Sequence, residues 1–319
     1  MKLSVHLNST KTTKNKLGFT LKILGSSSAT PQFNRHHSSQ YLQIGSNHIL
    51  IDCGEGAQMQ LRKLGIKFAN LDYIFISHLH GDHFFGLIGL LSSMHLNGRT
   101  EALTIFAPFG LQEIITIQLK HSQSFLNFDI DFRVTQTETL EVLLDNDNFT
   151  ISSFPMKHSI ACTGFLLQEK AKKRRLNRKT LPDKMLLQEI ALLKKGEDVL
   201  FENGTIKYSN AEYTLDPLIN YSYAYCSDTV YDESLIQYIA GVDYLYHEAT
   251  FLHEMLSRAE NTFHTTCLQA GQIAKLANVG TLLIGHFSAR YKELNPLLEE
   301  AKTVFENTIL AYEGLVIEC

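Results

Sequence analysis

The segment Ser77-His78-Leu79-His80-Gly81-Asp82-His83 places four possible metal donors within six residues. Imidazoles and a carboxylate together suit zinc or a similar borderline cation. The segment follows the apolar run YIFI (73–76), which reads as a short buried strand. A strand end aims alternate side chains the same way, so His78 and His80 can converge on one ion, while Asp82 and His83 in the following turn address a second. A lone histidine is more often a satisfied core residue. Three of them with an aspartate, packed without an ion, would cost several kcal/mol per buried titratable group. Two ions need further donors. His158 after SSFPMK, Asp228 after YAYCS and His286 after TLLIG each close an apolar run. Singly, each could be structural; their shared place at strand ends would bring them to one sheet edge.

The elements that must hold these groups follow from the surrounding pattern. The chain has 319 residues, 44% hydrophobic and 19% charged, with 29 basic against 33 acidic side chains. That is enough to bury a large core, and it excludes disordered, collagen-like and disulfide-scaffold classes. The five cysteines, at 53, 162, 226, 267 and 319, contain no CxxC pair, which points to a reducing compartment and a metal site without thiolates. No apolar run reaches the ~18 residues of a membrane span. The N-terminal residues have no apolar core and no cleavage site of a secretory signal; Leu3, Val5 and Leu7 alternate like a short strand.

Strands are expected at 19–24, 41–44 and 48–52, and a helix over 57–65 that ends at a glycine. A second helix is expected over 84–96, with strand, loop and helix alternating through 103–165. The C-terminal third predicts strand segments at YAYCSDT (223–229), VDYLYHEATF (242–251) and 281–285, and helices over 265–277 and near 295–305. The fold class is therefore α/β, with helices over sheet. Residues 168–200 depart from this rhythm. Within them, 170–179 (KAKKRRLNRK) carries seven cations and no acid. Such a run reads either as a solvated face or as a polyanion-binding patch on an excursion from the core.

The motifs LGSSSATP (24–31), IDCGEGAQMQL (51–61), HLHGDH (78–83), SDT (227–229), HEATF (247–251), HTT (264–266) and GHFSARY (285–291) together resemble the metallo-β-lactamase fold and, within it, the ribonuclease Z family of tRNA 3′-processing endoribonucleases. The resemblance runs from about residue 19 to the end. It implies an αββα four-layer sandwich, one domain over 1–319, with a basic exosite arm inserted at approximately 168–200. It implies two zinc ions per subunit, one on His78, His80 and His158, the other on Asp82, His83 and His286, bridged by Asp228. Asp82 would also orient the attacking water, and His264, supported by Glu248, would stand near the leaving oxygen. Arg290 resembles a phosphate contact, and Ser38 and Ser39 a substrate-side loop. Lys172, Lys173, Arg174 and Arg175 would grip RNA phosphate. The partners implied are precursor tRNA and a second subunit in a homodimer, with no membrane, no organic cofactor and a cytoplasmic location. The alternative is a hydrolase of the same fold acting on a small phosphodiester, thioester or lactone. The chain departs from the family pattern at Ser27, where a second glycine is usual, and in the arm, where only Pro182 and Gly196 stand in place of a Gly-Pro-rich motif. His95, His121, His247 and His253, and Cys53 and Cys226, read as ordinary structural residues.

Overall fold

The computed structural model describes residues 18–30, 32, 34–182 and 184–319. The strand expected over Leu3, Val5 and Leu7 lies outside them. The first half supplies β1 (Phe19–Gly25), β2 (Ser39–Ile44), β3 (Asn47–Cys53), β4 (Tyr73–Phe75), β5 (Leu103–Ala107) and β6 (Ile130–Val134). Then follow β7 (Glu141–Asp145), β8 (Phe149–Met156), β9 (Cys162–Glu169) and four short strands, β10 (Arg175–Leu176), β11 (Val199–Leu200), β12 (Ile206–Tyr208) and β13 (Thr214–Leu215). The last third adds β14 (Ser222–Cys226), β15 (Tyr244–Glu248), β16 (Thr281–Gly285), β17 (Thr308–Leu310) and β18 (Val316–Glu318).

Two seven-stranded sheets result, in the orders β18-β1-β2-β3-β4-β5-β6 and β17-β16-β15-β14-β9-β8-β7. Strands β3 to β6 pair in parallel, as do β14 to β17, while the hairpin-connected strands pair antiparallel. Parallel neighbours need a crossover, and helices supply several of these. The inner faces meet in a core that includes Phe19, Phe75, Phe106, Phe165, Tyr223, Tyr225, Tyr246 and Leu283. The outer face of one sheet is covered by helices Ala57–Lys63, Leu87–Leu96 and Leu111–His121, and that of the other by Cys267–Leu276 and Asn295–Lys302. The order helix, sheet, sheet, helix is the expected four-layer sandwich.

Three expectations need correction. The helix read over 84–96 is two, Gly81–Phe84 and Leu87–Leu96. Gly86 lies so close to the Gly54 carbonyl that a Cβ there would clash with it. The strand–helix alternation stops at His121, and four strands in succession fill 130–169. The excursion is also longer than 168–200. Its outgoing strand β10 pairs with β13, so the chain returns to the sheet only at Ser222. The charge run marks where the excursion begins, but the polar segment 201–221 carries no comparable signal of where it ends.

Candidate metal centre

Strand direction gathers the site. β14, β15 and β16 run parallel, and β8 runs the same way because β9 is antiparallel to both β8 and β14. Their C-terminal ends therefore deliver His158, Asp228, Glu248 and His286 to one edge. β3 and β4, parallel in the facing sheet, deliver Asp52 and the His78–His83 loop.

The seven predicted ligands meet there. His78, His80, His158 and Asp228 form one group with donor atoms mutually within 4.8 Å, and Asp82, His83 and His286 form another. Asp228 divides its carboxylate between them. Its Oδ2 lies 3.6 Å from His78 Nε2 and 3.9 Å from His158 Nε2. Its Oδ1 lies 3.4 Å from His83 Nε2 and 3.2 Å from His286 Nε2. Asp82 Oδ2 is 3.4 Å from His286 Nε2 and 3.6 Å from His83 Nε2. Donors around a tetrahedral ion with bonds of ~2.0–2.1 Å stand ~3.4 Å apart, which is the spacing seen here. His78 Nε2 and Asp228 Oδ1 are buried and have no hydrogen-bond partner. Buried polar atoms left in this way are expensive unless an ion completes them. The donor set and its spacing thus fit divalent cations.

Neighbours fix which nitrogen faces inward. His78 Nδ1 donates to Ser77 Oγ at 3.0 Å, and His83 Nδ1 to Asp52 Oδ2 at 2.7 Å. His158 Nδ1 donates to the Phe263 carbonyl at 2.9 Å, and His286 Nδ1 to Thr250 Oγ1 at 2.9 Å. Each bond leaves Nε2 for the ion, as oriented metal-binding histidines require. His80 offers Nδ1 instead, 3.1 Å from His158 Nε2. Burial alone would push Asp82 and Asp228 up, but the imidazoles around them hold both below the usual carboxylate range.

His264 stands against this cluster, grouped with Asp228 and His286. Its Nδ1 donates to Glu248 Oε1 at 2.9 Å. Glu248 is fully buried and also accepts from the Thr229, Thr250 and Thr265 amides and from Thr250 Oγ1. Burial works against a charged His264, but Glu248 outweighs it and lifts the imidazole to about 9. Arg290 is exposed, its guanidinium 5.2 Å from the Phe251 ring centroid. His247 turns away, its Nδ1 donating to the Glu248 carbonyl.

Several other predicted contacts are engaged within the protein itself. Ser38 and Ser39 are buried, and Ser39 Oγ donates to the Asp52 carbonyl at 2.9 Å. Lys172 is mostly buried, paired with Glu169 at 2.7 Å. Arg174 pairs with Asp216 at 2.9 Å, and Arg175 Nε donates to the Asp216 carbonyl at 3.0 Å. These three cations hold the stem of the excursion together. Lys173, Arg178 and Lys179 are exposed. Ser27 is buried, its hydroxyl bonded to the Thr30 carbonyl.

Sequence reasoning missed Asp52 and Thr250. Asp52 accepts from the Ser77 amide, Ser77 Oγ, Tyr225 OH and His83, all between 2.6 and 2.9 Å. An aspartate closing the apolar strand HILI was the available signal.

The fold and the paired His/Asp groups at its strand ends define a metallo-β-lactamase-type hydrolase. The protein is similar to a metallo-β-lactamase fold protein of Bacillus subtilis, with TM-score 0.66, 21% identity, and 94% of this chain and 99% of that one covered. It is similar also to the short form of human tRNase Z, with TM-score 0.69, 25% identity, and 93% and 98% covered. A family model described as anti-Pycsar protein Apyc1 matches residues 19–176. A ribonuclease Z of Cytophaga hutchinsonii is 49% identical over 298 residues, 93% of this chain and 95% of the relative. The chain belongs to the ribonuclease Z family.

Proposed function

We propose that this protein is a zinc-dependent endoribonuclease that removes the 3′ trailer of precursor tRNA and leaves a 3′-hydroxyl on the tRNA. The observation that carries this reading is the Asp228 carboxylate divided between two histidine groups, with the His264–Glu248 pair beside them. His78, His80, His158 and Asp228 would hold one zinc, and Asp82, His83, His286 and Asp228 the other. Held there, two such ions would lower the pKa of a water and neutralise charge that grows on the phosphoryl oxygens.

The chain's own groups do the rest. Asp82, with one oxygen held by the Ala29 amide at 2.7 Å, is fixed to orient the attacking water and take its proton. His264, kept protonated by Glu248, gives the proton from Nε2 to the departing ribose 3′-oxygen. Arg290, exposed at the same rim, supplies charge for a flanking phosphate.

The excursion over 170–221 is proposed as the tRNA-gripping arm, with Lys173, Arg178 and Lys179 among its exposed cations. It leaves from Glu169 and returns at Ser222, the ends of β9 and β14 opposite the metal centre. Eight residues of strand put its root roughly 24 Å from the cluster edge. It therefore grips the body of the RNA rather than the scissile bond, and in a homodimer it can serve the second subunit's substrate.

The test is cleavage of a 3′-extended tRNA and of a small chromogenic phosphodiester, before and after chelation and zinc add-back, with metal stoichiometry and molar mass measured on the same sample. Zinc-dependent cleavage that leaves a tRNA 3′-hydroxyl is expected. Better turnover of the small ester, with no tRNA cleavage, would overturn the reading in favour of a small-molecule hydrolase.

A further inference from the structure

Among the described residues, seven non-glycine residues have positive φ, and four of them bear on the metal centre. Three have an evident task. Ala29 turns its amide onto Asp82, Asp52 aims its carboxylate at His83, and His286 is itself in the cluster. The fourth is Phe263, at φ 58°. Its carbonyl fixes His158, but that task needs no side chain, and a glycine or asparagine would adopt this backbone at less cost. Phe263 is also 42% exposed. A bulky ring that is both strained at the backbone and open to water, beside a reactive centre, calls for something to cover it.

The ring is edge-on to His158, with centroids 6.4 Å apart and planes at 89°, and Phe263 immediately precedes His264. It thus flanks the side of the site where His264 meets the departing 3′-oxygen. The base nearest that oxygen belongs to the last nucleotide kept on the tRNA.

We propose that Phe263 is a substrate-binding residue whose ring stacks on the nucleobase of that last retained nucleotide. This rests on the functional reading above. Aromatic stacking accepts any base, because every base presents a π-face, so the contact positions the cut without reading sequence. Unpaired RNA bases are commonly held in this way.

The experiment crosses Phe263→Gly and Phe263→Trp with two substrates, a 3′-extended tRNA and the same RNA made abasic at the nucleotide before the cut. Phe263→Gly keeps the carbonyl on His158 and relieves the backbone, so zinc content should hold. Its kcat/KM on the normal substrate should fall roughly five- to hundredfold, mainly through KM. The abasic nucleotide should cost the unaltered enzyme a similar factor and cost Phe263→Gly almost nothing, while Phe263→Trp cleaves normally. Unchanged kinetics in Phe263→Gly, losses that multiply independently, or a fall in zinc content would each overturn the stacking role while tRNA cleavage by the unaltered enzyme stands. Absence of tRNA cleavage by the unaltered enzyme would instead overturn the functional reading, and the stacking proposal with it.

Discussion

Each residue of the His/Asp cluster depends on the groups behind it. Asp52 serves His83, the Ser77 amide and hydroxyl, and Tyr225 at once, so its charge and position set how His83 faces an ion. Asp52→Asn keeps the shape, and asparagine tolerates the φ of 54° at this position. Zinc affinity measured by chelator competition should fall about 10- to 100-fold, with little change in the far-ultraviolet circular dichroism. The Glu248–His264 pair makes a separate prediction about pH. His264 must be protonated to serve as an acid, and Glu248 lifts it to about 9 against the effect of burial. Activity should therefore persist below that pH and decline as pH rises through it. In Glu248→Gln the supporting charge is gone, so the declining limb of the kcat profile should move to lower pH. An unmoved limb would remove His264 from the proton-donor role.

Among the elements, the helix Cys267–Leu276 fixes the segment that carries His264. Thr266 caps this helix through the Gln269 amide, and Gln269 reaches back to the Thr266 amide, so two orphan donors are satisfied reciprocally. The Thr265 amide is meanwhile held by Glu248. Thr266→Ala should cost about 1 kcal/mol in denaturant unfolding. Activity should fall more than stability, because the same bonds hold the His264 turn. The broken helix at Gly86 is a second case of this kind. Its close approach to the Gly54 carbonyl seats Gly81–Phe84, and with it Asp82 and His83, against the end of β3.

Across the molecule, the edge that carries the His/Asp groups and the root of the excursion are separated by the length of β9. The cations of 170–179 divide by task. Lys172 and Arg174 are tied into the stem, Arg175 is exposed but engaged through Nε, and Lys173, Arg178 and Lys179 are exposed. Replacing Lys173, Arg178 and Lys179 with alanine should raise KM for precursor tRNA. The logarithmic salt slope of binding should flatten by about 0.7–0.9 for each phosphate that is no longer neutralised, with turnover of a small phosphodiester unchanged. Lys172→Ala should instead lower the melting temperature, because it leaves the buried Glu169 carboxylate with the Tyr221 amide but without its charged partner.

The amino-acid order already dictates the chemistry of the centre. Histidines and aspartates at strand ends are legible because periodicity locates the strands, and because such residues are too costly to bury idle. His78, His80, Asp82, His83, His158, Asp228 and His286 are recognisable in this way or through family motifs, and the fold brings them together. Packing settles which oxygen of Asp228 faces which group, which nitrogen each imidazole offers, and that Asp52 and Thr250 set those choices. It also settles that Ser39 and Lys172 point into the fabric of the protein and that the excursion returns only at Ser222. These outcomes depend on pairing between residues far apart in the chain, as where β10 meets β13 or Asp52 meets His83. A one-dimensional pattern records residue type and spacing, but the partner across the fold is fixed only when the sheets pack.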